Sequence, residues 1–573
     1  MTDFDLVIRG GTVLDGSGAP GRAADVAVKD GTIAEVGRVD GSARREVDAD
    51  GALVAPGWVD IHTHYDGQET WDEHLAPSSW HGVTTIVMGN CGVGFAPVHP
   101  SDHGRLISLM EGVEDIPGAA LHEGLRWDWQ SFPDYLDAVE RHPHDVDVAA
   151  QVPHGAVRLF VMGDRGANRD PATADEIDAM GRIAAAAVEA GALGFTTSRT
   201  LNHRTSTGDP TPTLTAAREE LVGIAKPIGD TGKGVLQVVS DFIDFDDEIG
   251  TLRAMVEASH RPLSISVAQA PRNPLAYRRI LDAISESNAD GLEMRAQVAA
   301  RAIGILLGLQ GSVNPLARSA TYNALADLPL AERVARLSDP EVKAAVLAEF
   351  PEHPMRTLRL DQVYELGEQP EYEPDPSTSV QARAAREGVD ADELLYDLLL
   401  GAGGTALLYV PILNYADGNL DAVGEMLAHP HTVPGLSDGG AHVGTICDGS
   451  FPTTLLMHWG RDRTRGERFE VPWLIKRQTA DTAAAVGLLD RGMLAPGYRA
   501  DINVIDMQRL GLGAPHLVFD LPAGGKRLLQ RASGYCHTFV AGEETFVDGE
   551  ATGALPGRLV RGAQPAPASG GSR

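Results

Sequence analysis

The chain opens with short runs in which apolar and polar residues alternate. FDLVIRGG, ADVAVKDGTIAEVG and GALVAPG keep a two-residue period and are cut by Gly-rich turns, as half-buried strands are. The same style returns over residues 500–550, in ADINVID and YCHTFVAGEETFVDGE. Between these ends, nearly continuous apolar runs alternate with stretches of helical period such as DEIDAMGRIAAAAVEAGA. Apolar runs of that kind suit strands buried on both faces, and their alternation with helices predicts a parallel βα architecture. Eight core strands are expected, ending near His64, Cys91, Pro153, Ser198, Asp241, Gln269, Ala299 and Asp438. The expected class is α/β, a (β/α)8 TIM-type barrel whose chemistry lies at the C-terminal ends of its strands. Two segments are too long to be simple connections. Residues 95–145 carry the aromatic-rich LRWDWQSFPDYL, and residues 300–430 contain several helical runs, read either as a lid over the barrel mouth or as peripheral decoration. The tail, 561–573, is expected to be disordered.

The most informative strand is PGWVDIHTHYDG, residues 56–67. Side chains alternate along a strand, so His62 and His64 share a face and Thr63 takes the other. Two imidazoles on one face at the end of a buried strand suit one metal ion. A second apolar strand, GVTTIVMGNCG, ends in Cys91, and GLSDGGAH near the far end offers Asp438. Each also has a plainer interpretation: Cys91 as a small buried residue and Asp438 as part of a turn-forming SDGG string.

These residues, with FDLVIRGGTVLDGSG, GALGFTTS and LAPGYRADINVID, give a set that resembles the amidohydrolase superfamily over nearly the whole chain. Within it, the cysteine at the second strand end is similar to the D-aminoacylase (N-acyl-D-amino-acid deacylase) group. The resemblance implies a metal-dependent hydrolase barrel over 56–487. It also implies a small β-sandwich built from both chain ends, 1–55 and 488–560. It implies histidines at the fifth and sixth strand ends, where this chain reads GVLQVVSDF and PLSISVAQA, with Val238 and Val267 aligned to those positions. The expected metal set is therefore His62, His64, Cys91 and Asp438, holding one divalent ion rather than two, with zinc favoured by thiolate and imidazole. Gln237, Ser240, Asp241 and Gln269 are candidates for a hydrogen-bonding wall in place of a second metal.

Charge narrows the partners. The formal net charge is −32, which opposes nucleic acid and anionic membrane surfaces and leaves a small-molecule substrate. Three cysteines make no disulfide framework, and no signal peptide or run of 18 apolar residues is visible, so a reduced, cytoplasmic enzyme is expected. Members of the superfamily often self-associate, and a homo-oligomer is expected here.

The expected chemistry is cleavage of a C–N amide bond, most simply deacylation of an N-acyl (D-)amino acid by metal-activated water. Asp438 is the candidate general base and acid, and His154, at the third strand end, the candidate oxyanion stabiliser. Arg199, His203 and Arg204 after the fourth strand, with Arg295, Gln269 and His442, are candidates for holding substrate. Two alternatives remain. One is a hydantoinase-like cyclic amide or imide hydrolase, disfavoured because no lysine stands at a core strand end. The other is a barrel that binds a small molecule without catalysis.

Overall fold

The computed structural model describes residues 2–349 and 358–568. The two chain ends meet in one nine-stranded sheet. Its centre is Leu53–Pro56, parallel to Phe4–Val13 on one side and antiparallel to Ile502–Ile505 on the other. The alternation legible in the sequence puts Leu6, Ile8, Val26, Val54, Ile502, Val504 and Phe539 into one apolar cluster.

Between the ends lies an α/β core of two parallel sheets. One holds three strands, Trp58–Asp60, Val83–Met88 and Asp147–Ala150. The other holds six: Val152–Pro153, Gly194–Arg199, Val235–Ser240, Leu263–Val267, Met294–Val298 and Thr432–Pro434. Gln151 alone separates Ala150 from Val152, and Thr63 bridges Gly439 in the parallel sense just beyond the first and last strands. Every residue of Val83–Met88 is buried, as a strand covered on both faces requires. The intervening helices carry their own start signals. Ala174–Ala190 begins with a Thr173–Glu176 capping box and ends at Gly191, whose φ of 122° stops the helix. The first, second and last core strands stop at Asp60, Met88 and Pro434, short of the expected ends. The chain leaves the sheet there, and the chemistry-bearing residues ride on the turns beyond.

The 95–145 segment folds into helices His103–Glu114, Gly118–Gly124 and Phe132–Glu140. The 300–430 segment, of which 350–357 lie outside the described residues, builds an antiparallel sheet of Ile303–Leu307, Leu408–Leu413 and Tyr364–Glu365 with its own apolar cluster. The tail departs from expectation over its described part, 561–568. Gln564 N–H donates to the Gly487 carbonyl and its own carbonyl accepts from Leu489 N–H, both at 2.9 Å, and Arg561 pairs with Asp137 and Glu140. Backbone pairing, invisible in composition, orders it. Among the described residues no helix is long and apolar enough to cross a membrane.

Candidate metal centre

His62 and His64 follow the first core strand, and their backbone is held by the turn that follows the last. His64 N–H donates to the Gly439 carbonyl at 2.8 Å, and Asp438 N–H to the His62 carbonyl at 3.1 Å. That exchange brings Asp438 to the histidines: its Oδ1 lies 3.4 Å from His62 Nε2 and 3.7 Å from His64 Nε2. Cys91 arrives from the second strand, with Sγ 3.3 Å from His62 Nε2. One ligand atom each from His62, His64 and Cys91 falls within a 4.8 Å span, and all three residues are buried.

The backbone is contorted to achieve this. Cys91, Asp438 and His442 have φ of 55°, 48° and 50°, a left-handed conformation that costs a non-glycine residue about 1–2 kcal/mol. Gly89 and Gly92 flank Cys91 at φ of 80° and 68°, and a Cβ on Gly89 would meet the Gln151 carbonyl at 2.2 Å. The turn is thus built to present Sγ.

Polar neighbours orient the set: Gln237 is a candidate from the sequence, whereas Gln297 and Glu114 are not marked there. His62 Nδ1–H donates to Gln297 Oε1 at 2.6 Å, which leaves the Nε2 lone pair facing Cys91 and Asp438. Gln237 Oε1 accepts from Cys91 N–H at 3.1 Å, and its Nε2 donates to Ser266 Oγ. Glu114, the last residue of its helix, sets Oε1 3.3 Å from His64 Nδ1 and Oε2 3.6 Å from His442 Nε2. Burial holds His62 below the usual imidazole range despite Asp438, and burial with His62, His442 and His203 holds His64 well below it. Burial, then Glu114 and Asp438, pushes the Cys91 thiol well up. Neutral imidazoles and a thiol that ionises only beside a cation are donors suited to a divalent metal.

The contact of Gln237 with Cys91 also corrects the placement of the valines. Gln237, not Val238, reaches Cys91, and its bond to Ser266 puts Ser266, not Val267, beside it. Val238 and Val267 are buried in the main apolar cluster.

The other sequence candidates divide. His442 adjoins the centre through Glu114. His203 sets Nδ1 2.9 Å from Ser198 Oγ, and burial with His442 and His62 pushes it down to about 3. Arg204 is exposed, with Nη1 on the Gly208 carbonyl at 2.9 Å. Four candidates are spent elsewhere. His154 begins a helix rather than ending a strand freely. Its Nδ1 lies 2.8 Å from Thr197 Oγ1 and its Nε2 3.0 Å from Glu220 Oε1, so no ring nitrogen is left for an oxyanion. Arg199 Nε lies 2.8 and 3.0 Å from the two Glu248 oxygens. Arg295 stands near the start of its strand, away from the ligand end, and pairs with Glu293. Gln269 is locked to the 300–430 segment through Asn414, Ala416 and Asp417.

The model of the amidohydrolase family matches residues 45–550. The chain belongs to the amidohydrolase family. It is 35% identical to a D-aminoacylase of Alcaligenes xylosoxydans xylosoxydans over 230 residues, 40% of this chain and 43% of that protein. An N-acyl-D-aspartate deacylase of the same organism is 27% identical over 564 residues, 97% of this chain and 95% of the relative. A D-aminoacylase crystal structure that defines a novel subset of amidohydrolases superposes with a TM-score of 0.64 at 26% identity, covering 97% of this chain and 100% of that one. Another, concerned with the functional role of a binuclear metal center in D-aminoacylase, gives 0.65 at 26% with the same coverage. This amidohydrolase therefore shares its fold from end to end with those enzymes, while the more similar D-aminoacylase sequence is matched over less than half its length.

Proposed function

We propose that this amidohydrolase is a zinc-dependent deacylase of N-acyl amino acids, of the D series. The observation that carries the reading is the convergence of His62, His64 and Cys91 within 4.8 Å, with the Asp438 carboxylate facing both histidines. The deacylase names of the relatives support the substrate class. We read the two parallel sheets as one closed (β/α)8 barrel, joined through Gln151 and the Thr63–Gly439 bridge, with residues 1–55 and 488–560 as its accessory β domain.

His62, His64, Cys91 and Asp438 would hold one ion. A second ion lacks imidazole donors where the fifth and sixth strands present Gln237 and Ser266. When bound, zinc polarises an amide carbonyl and lowers the pKa of an attacking water. Asp438, 17% exposed at its side chain, would take a proton from the attacking water and return it to the departing nitrogen. Gln297 fixes the tautomer of His62, and Gln237 fixes the backbone that carries Cys91. Arg204, His203 and His442 remain the side chains available to substrate on the mouth loops.

Elemental analysis is expected to find one zinc per chain, and chelation to abolish hydrolysis of N-acyl-D-amino acids until zinc is restored. Asp438→Asn is expected to lower kcat by about 10²–10⁴-fold in a protein that stays folded. Full activity in that variant would refute the acid–base role, and hydrolysis by metal-free protein would refute the reading as a whole.

A further inference from the structure

Three strand residues support the metal centre from one side. Gln237, Ser266 and Gln297 stand on three consecutive core strands, Val235–Ser240, Leu263–Val267 and Met294–Val298. The outer two are bonded to ligand residues. Gln237 Oε1 accepts from Cys91 N–H at 3.1 Å, and Gln297 Oε1 from His62 Nδ1–H at 2.6 Å. Ser266 lies between them. Its Oγ accepts from Gln237 Nε2–H at 3.1 Å, and it is the register partner of Gln297 across the parallel pair. Register partners on neighbouring parallel strands project from the same face, so Ser266 shares the face on which Gln297 meets His62.

The three differ in what they have left to offer. Gln237 is 1% exposed, with both ends of its amide bonded. Gln297 is 2% exposed, and its oxygen is taken by His62. Ser266 is half-buried, its oxygen is held by Gln237, and among the described residues no group accepts its hydrogen. A hydroxyl bound only through its oxygen keeps one donor unspent. Val239, two residues on from Gln237, and Ala268, two on from Ser266, carry no polar side-chain group to compete with it.

We propose that Ser266 is a catalytic residue, whose hydroxyl donates to the carbonyl oxygen of the scissile amide as that oxygen becomes negative. The inference rests on the deacylase reading and deepens it by naming the oxyanion donor. His154 does not serve, because Thr197 and Glu220 occupy its ring nitrogens. Attack of water on the amide carbon moves the C=O π pair onto oxygen. The Ser266 hydrogen stays on its own oxygen and strengthens its bond to the growing charge. The C=O re-forms as the C–N bond breaks, and the nitrogen leaves with the proton from Asp438. A donor aimed in advance at that charge costs no reorganisation when the charge appears. Gln237 then has two duties: its oxygen fixes the backbone of Cys91, and its nitrogen aims Ser266.

The test compares the zinc-loaded native enzyme with Ser266→Ala and Ser266→Thr. The substrate is the N-acetyl-D-amino acid that the native enzyme hydrolyses fastest. The inhibitor is its N-methylphosphonyl counterpart, tetrahedral at phosphorus. Ser266→Ala is expected to lower kcat by about 10²-fold. KM should stay within about twofold, and inhibitor affinity should fall by the same factor as kcat. Its zinc content should match the native protein, and Ser266→Thr should recover most of the rate. Native kcat in Ser266→Ala overturns the proposal, as does a loss confined to KM or an unchanged inhibitor affinity. Loss of zinc in step with rate, or a Ser266→Thr enzyme no faster than Ser266→Ala, overturns it by showing that Ser266 only props Gln237. If the native enzyme hydrolyses no N-acyl-D-amino acid, the deacylase reading falls and this inference with it.

Discussion

Glu114 shows how much of the centre depends on a single side chain outside the ligand set. It ends the helix His103–Glu114, where the exposed carbonyls disfavour a negative charge, and Asp115 follows it. Nothing about that helix is stabilised by an acid there. Its carboxylate faces His64 Nδ1 and His442 Nε2 instead, and burial followed by Asp438 and Asp66 raises its pKa well above the carboxylate range. A carboxylate behind a metal-binding imidazole orients the ring and strengthens it as a donor. Glu114→Gln is therefore expected to weaken zinc binding by about 10–100-fold, read by competition with a chromophoric chelator. An unchanged zinc affinity would show that Glu114 only fills space.

At the scale of elements, the 300–430 segment is fastened to the core through Glu373. Its carboxylate accepts from His458 Nε2–H at 3.0 Å, Arg463 Nε–H and Nη2–H at 3.1 Å, and Leu420 N–H at 2.8 Å. Burial pushes its pKa up, but the bonds from His458, Arg463 and Leu420 outweigh burial and bring it from 4.5 down to about 2. A depressed acid stabilises the fold above its unfolded value and loses that contribution as pH falls through its folded one. Glu373→Gln, which leaves the buried Arg463 guanidinium with Asp421 as its remaining carboxylate partner, is expected to be less stable by about 3 kcal/mol at neutral pH. The gap in melting temperature should narrow as pH is lowered from 4.5 toward 2. A gap independent of pH across that window would mean that Glu373 carries no charge in the folded protein.

At the scale of the whole molecule, the terminal sheet is coupled to the α/β core by buried charge. Asp147, in the third core strand, accepts from Arg491 at 2.7 Å and Arg499 at 2.8 Å, and neither Arg491 nor Asp147 has any side-chain exposure. Removing one partner of a buried pair leaves an uncompensated charge, so the pair costs more to break than it contributes when intact. Arg491→Met is expected to lower stability by about 3 kcal/mol, measured from the urea midpoint. A loss below about 0.5 kcal/mol would show that Arg499 alone satisfies Asp147. The formal net charge of −32 belongs to this scale too: it opposes polyanionic partners without identifying the substrate.

The sequence by itself determined what local pattern can encode. Two-residue alternation marked the terminal strands, continuous apolar runs marked the core strands, and the one-residue spacing of His62 and His64 put two imidazoles on one face. The tertiary structure decided which polar side chains meet. Gln297 lies 235 positions from His62, and Gln237 146 positions from Cys91, and no flanking residue announces either pairing. His154 and Arg199 looked available from their strand-end positions, yet Glu220 and Glu248, brought by later helices, occupy them. The physical reason is that a strand's periodicity fixes which way a side chain points, whereas its partner is whatever the packed chain delivers to that face.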